Sequence, residues 1–148
     1  MEFVQRGDFN YYEKLKACYA ESEWPDVLEG LLFVLEKNHQ EYTYTSILME
    51  EERHRELLEY CRGNVDKVAQ FASFLVNDFK EEVQELYEQS ILKEAERSKN
   101  RSNYRQVCRS IRDYKSIFGK KSVQVLVERL KKKYTRRPAF IDELGKVS

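Results

Sequence analysis

An all-α fold is predicted, an array of antiparallel helix pairs forming a tetratricopeptide-like α-solenoid or an irregular helical bundle. Three observations predict it. Only five Gly and two Pro occur in 148 residues, too few turn formers for a sandwich or barrel. Charged residues make up 35% of the chain, and Glu, Lys, Leu and Gln, all good helix formers, are frequent. Apolar residues recur every three or four positions in successive blocks separated by polar or glycine punctuation.

The blocks run in order along the chain. Gly7-Asp8 reads as a stop and an N-cap, and Phe9, Tyr12, Leu15 and Tyr19 give a helix over about 8–21. Trp24-Pro25 follows Ser22 and Glu23 and starts a second helix, with proline in its first turn. Its face is Trp24, Val27, Leu28, Leu31, Leu32 and Leu35, and Asn38 and His39 lie at or past its end. The stretch 42–52 is locally mixed. Tyr42-Thr43-Tyr44-Thr45 favours strand, but Ile47, Leu48 and three following glutamates favour the short helix expected there. Leu57, Leu58 and Cys61 mark the next helix, which ends at Gly63, a residue suited to a left-handed C′ position.

Asn64 caps a helix carrying Val65, Val68, Ala69, Ala72 and Leu75. Asn77 or Asp78 then opens the longest helix, with Phe79, Val83, Leu86, Tyr87 and Ile91, as far as about Ser98. Ser102 or Asn103 caps a helix with Tyr104, Val107, Cys108, Ile111 and Phe118 on its face, and Gly119 ends it. Val123, Leu126, Val127, Leu130 and Tyr134 form another, and Arg137-Pro138 starts a short last one with Phe140, Ile141 and Leu144 inward. Paired, these helices cover 8–37, 40–62, 64–98 and 102–134, near the period of helical-hairpin repeats. The strict tetratricopeptide consensus is absent. The chain reads as a single helical-repeat domain, 1–148.

Net charge is zero, yet residues 1–96 hold 10 Lys/Arg against 22 Asp/Glu, a net of −12, and residues 97–148 hold 16 against 4, a net of +12. No apolar run reaches the ~18–20 residues of a membrane span, and the N-terminus lacks the pattern of a signal peptide. Cys18, Cys61 and Cys108 are far apart and odd in number, which suits a reducing compartment, the cytoplasm.

Catalytic patterns are missing from the sequence. There is no Gly-x-Ser-x-Gly elbow and no glycine-rich phosphate loop, and the two histidines lack a compelling partner. Glu36-x-x-His39 and Glu51-x-x-His54 have the spacing of di-iron carboxylate bundles, but acid-rich helices generate such pairs on solvated faces. His54 and Cys61 are two turns apart, roughly 10 Å at the helical rise, too far to share a zinc ion. No catalytic, cofactor-binding or metal-binding residue is assigned.

A partner surface is the better expectation. Basic residues interleave with tyrosine from Arg97 through Arg101, Tyr104, Arg105 and Arg109, and again around Lys131 to Arg136 and Arg137. Lys and Arg neutralise phosphates and Tyr stacks on bases, so 97–137 is a candidate nucleic-acid footprint. The same cations can instead pair with acids, within one molecule or head to tail between molecules, Arg136 and Arg137 with Asp142 and Glu143 for example.

The stretches Leu86-Tyr87-Glu88, Glu94-Ala95-Glu96-Arg97, Asn100-Arg101-Ser102-Asn103-Tyr104-Arg105, Val107-Cys108-Arg109 and Tyr134-Thr135-Arg136-Arg137-Pro138-Ala139-Phe140-Ile141-Asp142-Glu143-Leu144 carry a family resemblance. Residues 80–148 resemble the C-terminal helical region of bacterial SWIM zinc-finger proteins, and 1–79 is loosely compatible. The resemblance implies that 1–148 is a C-terminal part of a longer protein. It also implies that zinc belongs only to the parent's Cys-x-Cys…Cys-x-His finger, which has no counterpart in this sequence and is thought to bind DNA or proteins. The function expected is a non-enzymatic helical scaffold binding a protein partner or another part of its parent chain. The alternative is a nucleic-acid-binding accessory domain using 97–137.

Overall fold

The computed structural model describes residues 9–147, apart from the side chains of residues 10 and 11. The described residues are all-α, with no strand. The helices are α1 (Phe9–Ala17), α2 (Trp24–Lys37), α3 (Glu41–Glu50), α4 (His54–Gly63), α5 (Val68–Arg97), α6 (Arg101–Phe118), α7 (Lys120–Lys133) and α8 (Pro138–Leu144), with a 3₁₀ turn at Val65–Lys67 before α5. The expected Gly7-Asp8 cap lies outside the described residues.

The chain divides into two compact units, 1–59 and 60–148, the boundary falling within α4. In the first unit α3 packs against both α1 and α2. Leu28, Leu31, Leu32 and Leu35 of α2 are buried, as are Ile47 and Leu48 of α3. Burial of the Ile47 and Leu48 side chains on a helix thus overrides the strand propensity of Tyr42–Thr45. Thr45 and Ser46 also turn their hydroxyls back to the carbonyls of Glu41 and Tyr42, a bonding pattern that helical backbone accommodates.

In the second unit α6 is the hub, packing against α5, α7 and α8. Val107, Ile111 and Tyr114 form its buried stripe. Gln84 of α5 donates to the Tyr114 hydroxyl of α6 at 2.9 Å and to Ser122 of α7 at 3.0 Å. The Tyr114 hydroxyl in turn donates to Glu88. Burial, reinforced by the Glu88 carboxylate, pushes the Tyr114 phenol up to about 12, so it stays a donor.

The expected break before the longest helix is a kink rather than a gap. One helical run crosses 68–97, and Phe79 alone is non-helical, at φ −135° and ψ 46°. Three capping expectations need correction. Gly63 does not take a left-handed φ. Asn64 makes no cap; its side-chain amide donates to the Tyr60 carbonyl at 3.0 Å. At α6 the cap is Asn100, not Ser102 or Asn103. Its Oδ1 accepts from the Asn103 N–H at 2.9 Å, and Asn103 Oδ1 accepts from the Lys99 N–H at 3.2 Å. This reciprocal pair satisfies free donors at the helix start.

Gly119 does end α6, at φ 91° and ψ 172°, a backbone state open essentially to glycine, and it lets α7 begin at the next residue. Gly30 lies inside α2, with open space where a methyl group would stand. Gly119→Ala should therefore destabilise by about 1–3 kcal/mol, and Gly30→Ala should stabilise by about 0.5–1 kcal/mol. Urea unfolding of both variants checks the pair; equal effects would contradict these backbone assignments.

Candidate partner-binding surface

The basic third of the chain divides into cations that hold the fold and cations that do not. Glu143 of α8 is 5% exposed, the only acid among the buried polar residues described. It lies 2.8 Å from Arg101 and 3.5 Å from Arg105, both on α6, and 3.5 Å from Lys146. Arg101 also reaches Asp142 at 2.8 Å. Burial works to raise the Glu143 carboxyl, but Arg101, Lys146 and Arg105 bring it below its usual range. The Asp142 carboxyl is held down by the Arg101 hydrogen bond and then by Lys146. The acids expected to meet Arg136 and Arg137 thus meet Arg101 and Arg105 instead.

Arg137 has a different role. Its guanidinium donates to the carbonyls of Ala95 and Ser98, at 3.2 and 3.1 Å, where α5 ends. It also lies 4.6 Å from the Tyr134 ring centre. Helix C-termini leave unpaired carbonyls, and a cation there completes them.

The two interleaved tyrosines are core. Tyr104 is 7% exposed and stacks on Phe140 at 4.8 Å with 15° between the rings. Tyr134 is 8% exposed and packs on Phe140 at 5.5 Å. Neither offers a face on which a base could stack. Arg109 is exposed and donates to Gln106 at 3.0 Å.

Arg97 and Arg136 are exposed and form no ion pair among the described residues, and the same holds for Lys121, Arg129 and Lys132 on α7. These α7 residues surround Val125, which is 70% exposed; Arg129 and Lys132, with Gln124 and Glu128, line an open depression beside it. Nothing in the sequence marks Val125 except its position off the stripe formed by Val123, Leu126, Val127 and Leu130. A second, polar cleft of about 320 Å³ includes Asp66, Ser90, Glu94, Arg97 and Gln106. Glu94 is already engaged there by Ser110 at 2.8 Å, and the Ser98 hydroxyl by the Glu94 carbonyl.

The first unit contains a carboxylate hub that sequence reasoning missed. Glu51, past the end of α3, accepts from Lys16 at 2.6 Å, from the Trp24 indole at 3.1 Å and from the Tyr12 hydroxyl. One carboxylate so joins α1, α2 and α3. Residues 39 positions apart leave no periodic signal; an indole N–H needing a partner is the only clue. Burial alone would raise the Glu51 carboxyl, but Lys16, Tyr12 and Trp24 together lower it. Its engagement removes Glu51 from the Glu51-x-x-His54 spacing, and His39, at φ 55°, lies past the end of α2.

Among the described residues no three His, Cys, Asp or Glu side chains converge as a metal site, and no helix is long and apolar enough to cross a membrane. Cys61 and Cys108 are buried, and burial pushes both thiols up to about 11; Cys18 is exposed. Comparison with protein-family models, with curated proteins and with solved structures yields no match.

The lowered carboxylates fix a pH dependence. Their folded values lie below the unfolded ones, so the unfolded state binds more protons and stability rises with pH. The contribution is complete above the ordinary carboxylate range, about 4, and is lost as pH falls through the folded values. The urea midpoint should hold steady near neutrality and decline below about pH 4–5. In Glu51→Gln that acid decline should be shallower; an unchanged slope would show that Glu51 does not contribute to it.

Proposed function

We propose that this chain is a non-enzymatic helical interaction module, and that the exposed face of α7 binds an acidic surface on a protein partner. The observation that carries this reading is Val125, 70% exposed and flanked by Lys121, Arg129 and Lys132, which form no ion pair among the described residues, with Glu128 the one acid beside them. An apolar centre with a polar rim is the anatomy of a protein-binding patch. Long-range attraction from the rim speeds encounter with a partner of opposite sign.

The alternative is a nucleic-acid-binding accessory role for 97–137. Arg97, Arg136 and the α7 lysines favour it, because free cations can meet phosphates. The burial of Tyr104 and Tyr134 and the use of Arg101, Arg105 and Arg137 inside the fold count against base stacking and shrink the footprint. In a parent chain of the SWIM zinc-finger kind, a separate finger would hold the zinc and contact DNA or protein, and this helical region would hold the module's own partner. The free thiols suit the reducing cytoplasm.

Capture of an identified partner by the full chain, with Val125→Glu and Arg129→Glu beside it, tests the reading. Each variant should weaken binding by about tenfold or more, about 1.4 kcal/mol, with helicity unchanged. Capture that ignores both substitutions would overturn the α7 assignment. In parallel, anisotropy with labelled DNA and RNA should show no binding whose affinity falls ~10³-fold between about 50 and 200 mM salt, the sign of six or more phosphate contacts. Such binding would promote the alternative.

A further inference from the structure

The two units carry opposite charge. Residues 1–59 hold 6 Lys/Arg against 14 Asp/Glu, a net of −8, and residues 60–148 hold 20 against 12, a net of +8. Each unit exposes apolar side chains on its helices; besides Tyr42 of α3, 81% exposed, one stands on a charged helix face of each unit. On α7 it is Val125. On α2 it is Phe33, 60% exposed and off the buried stripe that ends at Leu35.

Two of the charges around each of these residues follow matching spacings. On α2, Asp26 and Glu29 lie seven and four residues before Phe33, and Glu36 lies three after it; all are exposed. On α7, Lys121 lies four residues before Val125, and Arg129 and Lys132 lie four and seven after it; all are exposed. At 1.5 Å per residue, four and seven residues are about 6 and 10 Å of axis. Laid antiparallel with Val125 against Phe33, Arg129 comes opposite Glu29 and Lys132 opposite Asp26, while Lys121 comes opposite Lys37, with Glu36 one position away. A parallel arrangement matches only Lys121 with Glu29 and sets Arg129 against Lys37, so it gains one opposite-charge pair fewer than the antiparallel one. In the antiparallel register Lys37 against Lys121 is the one like-charge pair, set against two opposite-charge pairs, and the Lys37 ammonium folds back to 5.0 Å from the centre of the Phe33 ring. Glu29 already bonds Arg53, and at 62% side-chain exposure it can serve both.

We propose that the α7 face takes a second copy of this chain, with α2 of one copy packed antiparallel on α7 of the next. This rests on the reading of α7 as a protein-binding face and names its occupant. The two surfaces differ, so the contact is heterologous: every copy offers both halves, and association proceeds head to tail into open chains or closed rings. One pair of helix faces is a small interface, and the association is accordingly weak and transient. Opposite net charges speed encounter and make it sensitive to salt.

Sedimentation velocity of the full chain over about a hundredfold range of concentration, at low and high salt, tests it. The wild type should associate as concentration rises, and less so at high salt. Lys132→Glu alone and Asp26→Lys alone should each weaken association by about tenfold or more, since each sets like charges together. The chain carrying both substitutions should regain it, and Val125→Glu should abolish it. Circular dichroism checks that these exposed substitutions leave the fold intact. A chain that stays monomeric throughout, or a double variant as weak as the singles combined, overturns the second copy as occupant. If the monomeric chain still binds another acidic protein through Val125 and Arg129, the protein-binding reading stands and only the occupant fails; if it binds none, both fail.

Discussion

The second unit turns on one buried carboxylate. Glu143 stands on a helix of seven residues, too short to hold itself, and is covered by the exposed cations that pair with it. An unpaired charge there would be costly. Arg101 and Arg105 supply the compensation from α6, and Lys146 from the following turn. With α8 seated, Phe140 packs against both Tyr104 and Tyr134. The ion cluster and the aromatic cluster are thus two sides of the same docking, one electrostatic and one apolar.

That docking decides what the basic third of the chain is free to do. A residue count sees sixteen cations and four acids after residue 96 and makes the whole stretch a candidate footprint for a polyanion. The packed chain has already committed Arg101 and Arg105 to α8 and Arg137 to the end of α5. What remains outward is a narrower set: Arg97, Arg136 and the cations around Val125 of α7. Function, in this reading, belongs to the cations that the fold does not need.

The fold was legible because helices advertise themselves locally. The stripes Leu28–Leu31–Leu35 and Val107–Ile111 each lie within one helix, and their spacing alone turns them inward. Even the kink at Phe79 was foreshadowed by Asn77 and Asp78. The site was far less legible. Whether Arg101 is free depends on Glu143, 42 residues away, and whether Glu51 can bind a metal depends on Tyr12, 39 residues away. Such pairings have no period. The tyrosines misled for a related reason: Tyr104 and Tyr134 follow the helical stripe as well as the basic pattern, and the stripe prevailed because burying a ring outweighs exposing it. Val125 and Phe33 were visible in sequence only as apolar residues that miss their stripes.

The division between bracing and free cations is tested most directly by comparing two paired truncations in urea unfolding, Arg101→Ala with Arg105→Ala, and Arg129→Ala with Lys132→Ala. The first pair should lower the unfolding midpoint more, because Glu143, 5% exposed, loses two of the three cations that pair with it. The second pair should stay within about 0.5 kcal/mol of the wild type, as exposed substitutions do. Equal effects from the two pairs would contradict the division, and with it the assignment of partner binding to α7.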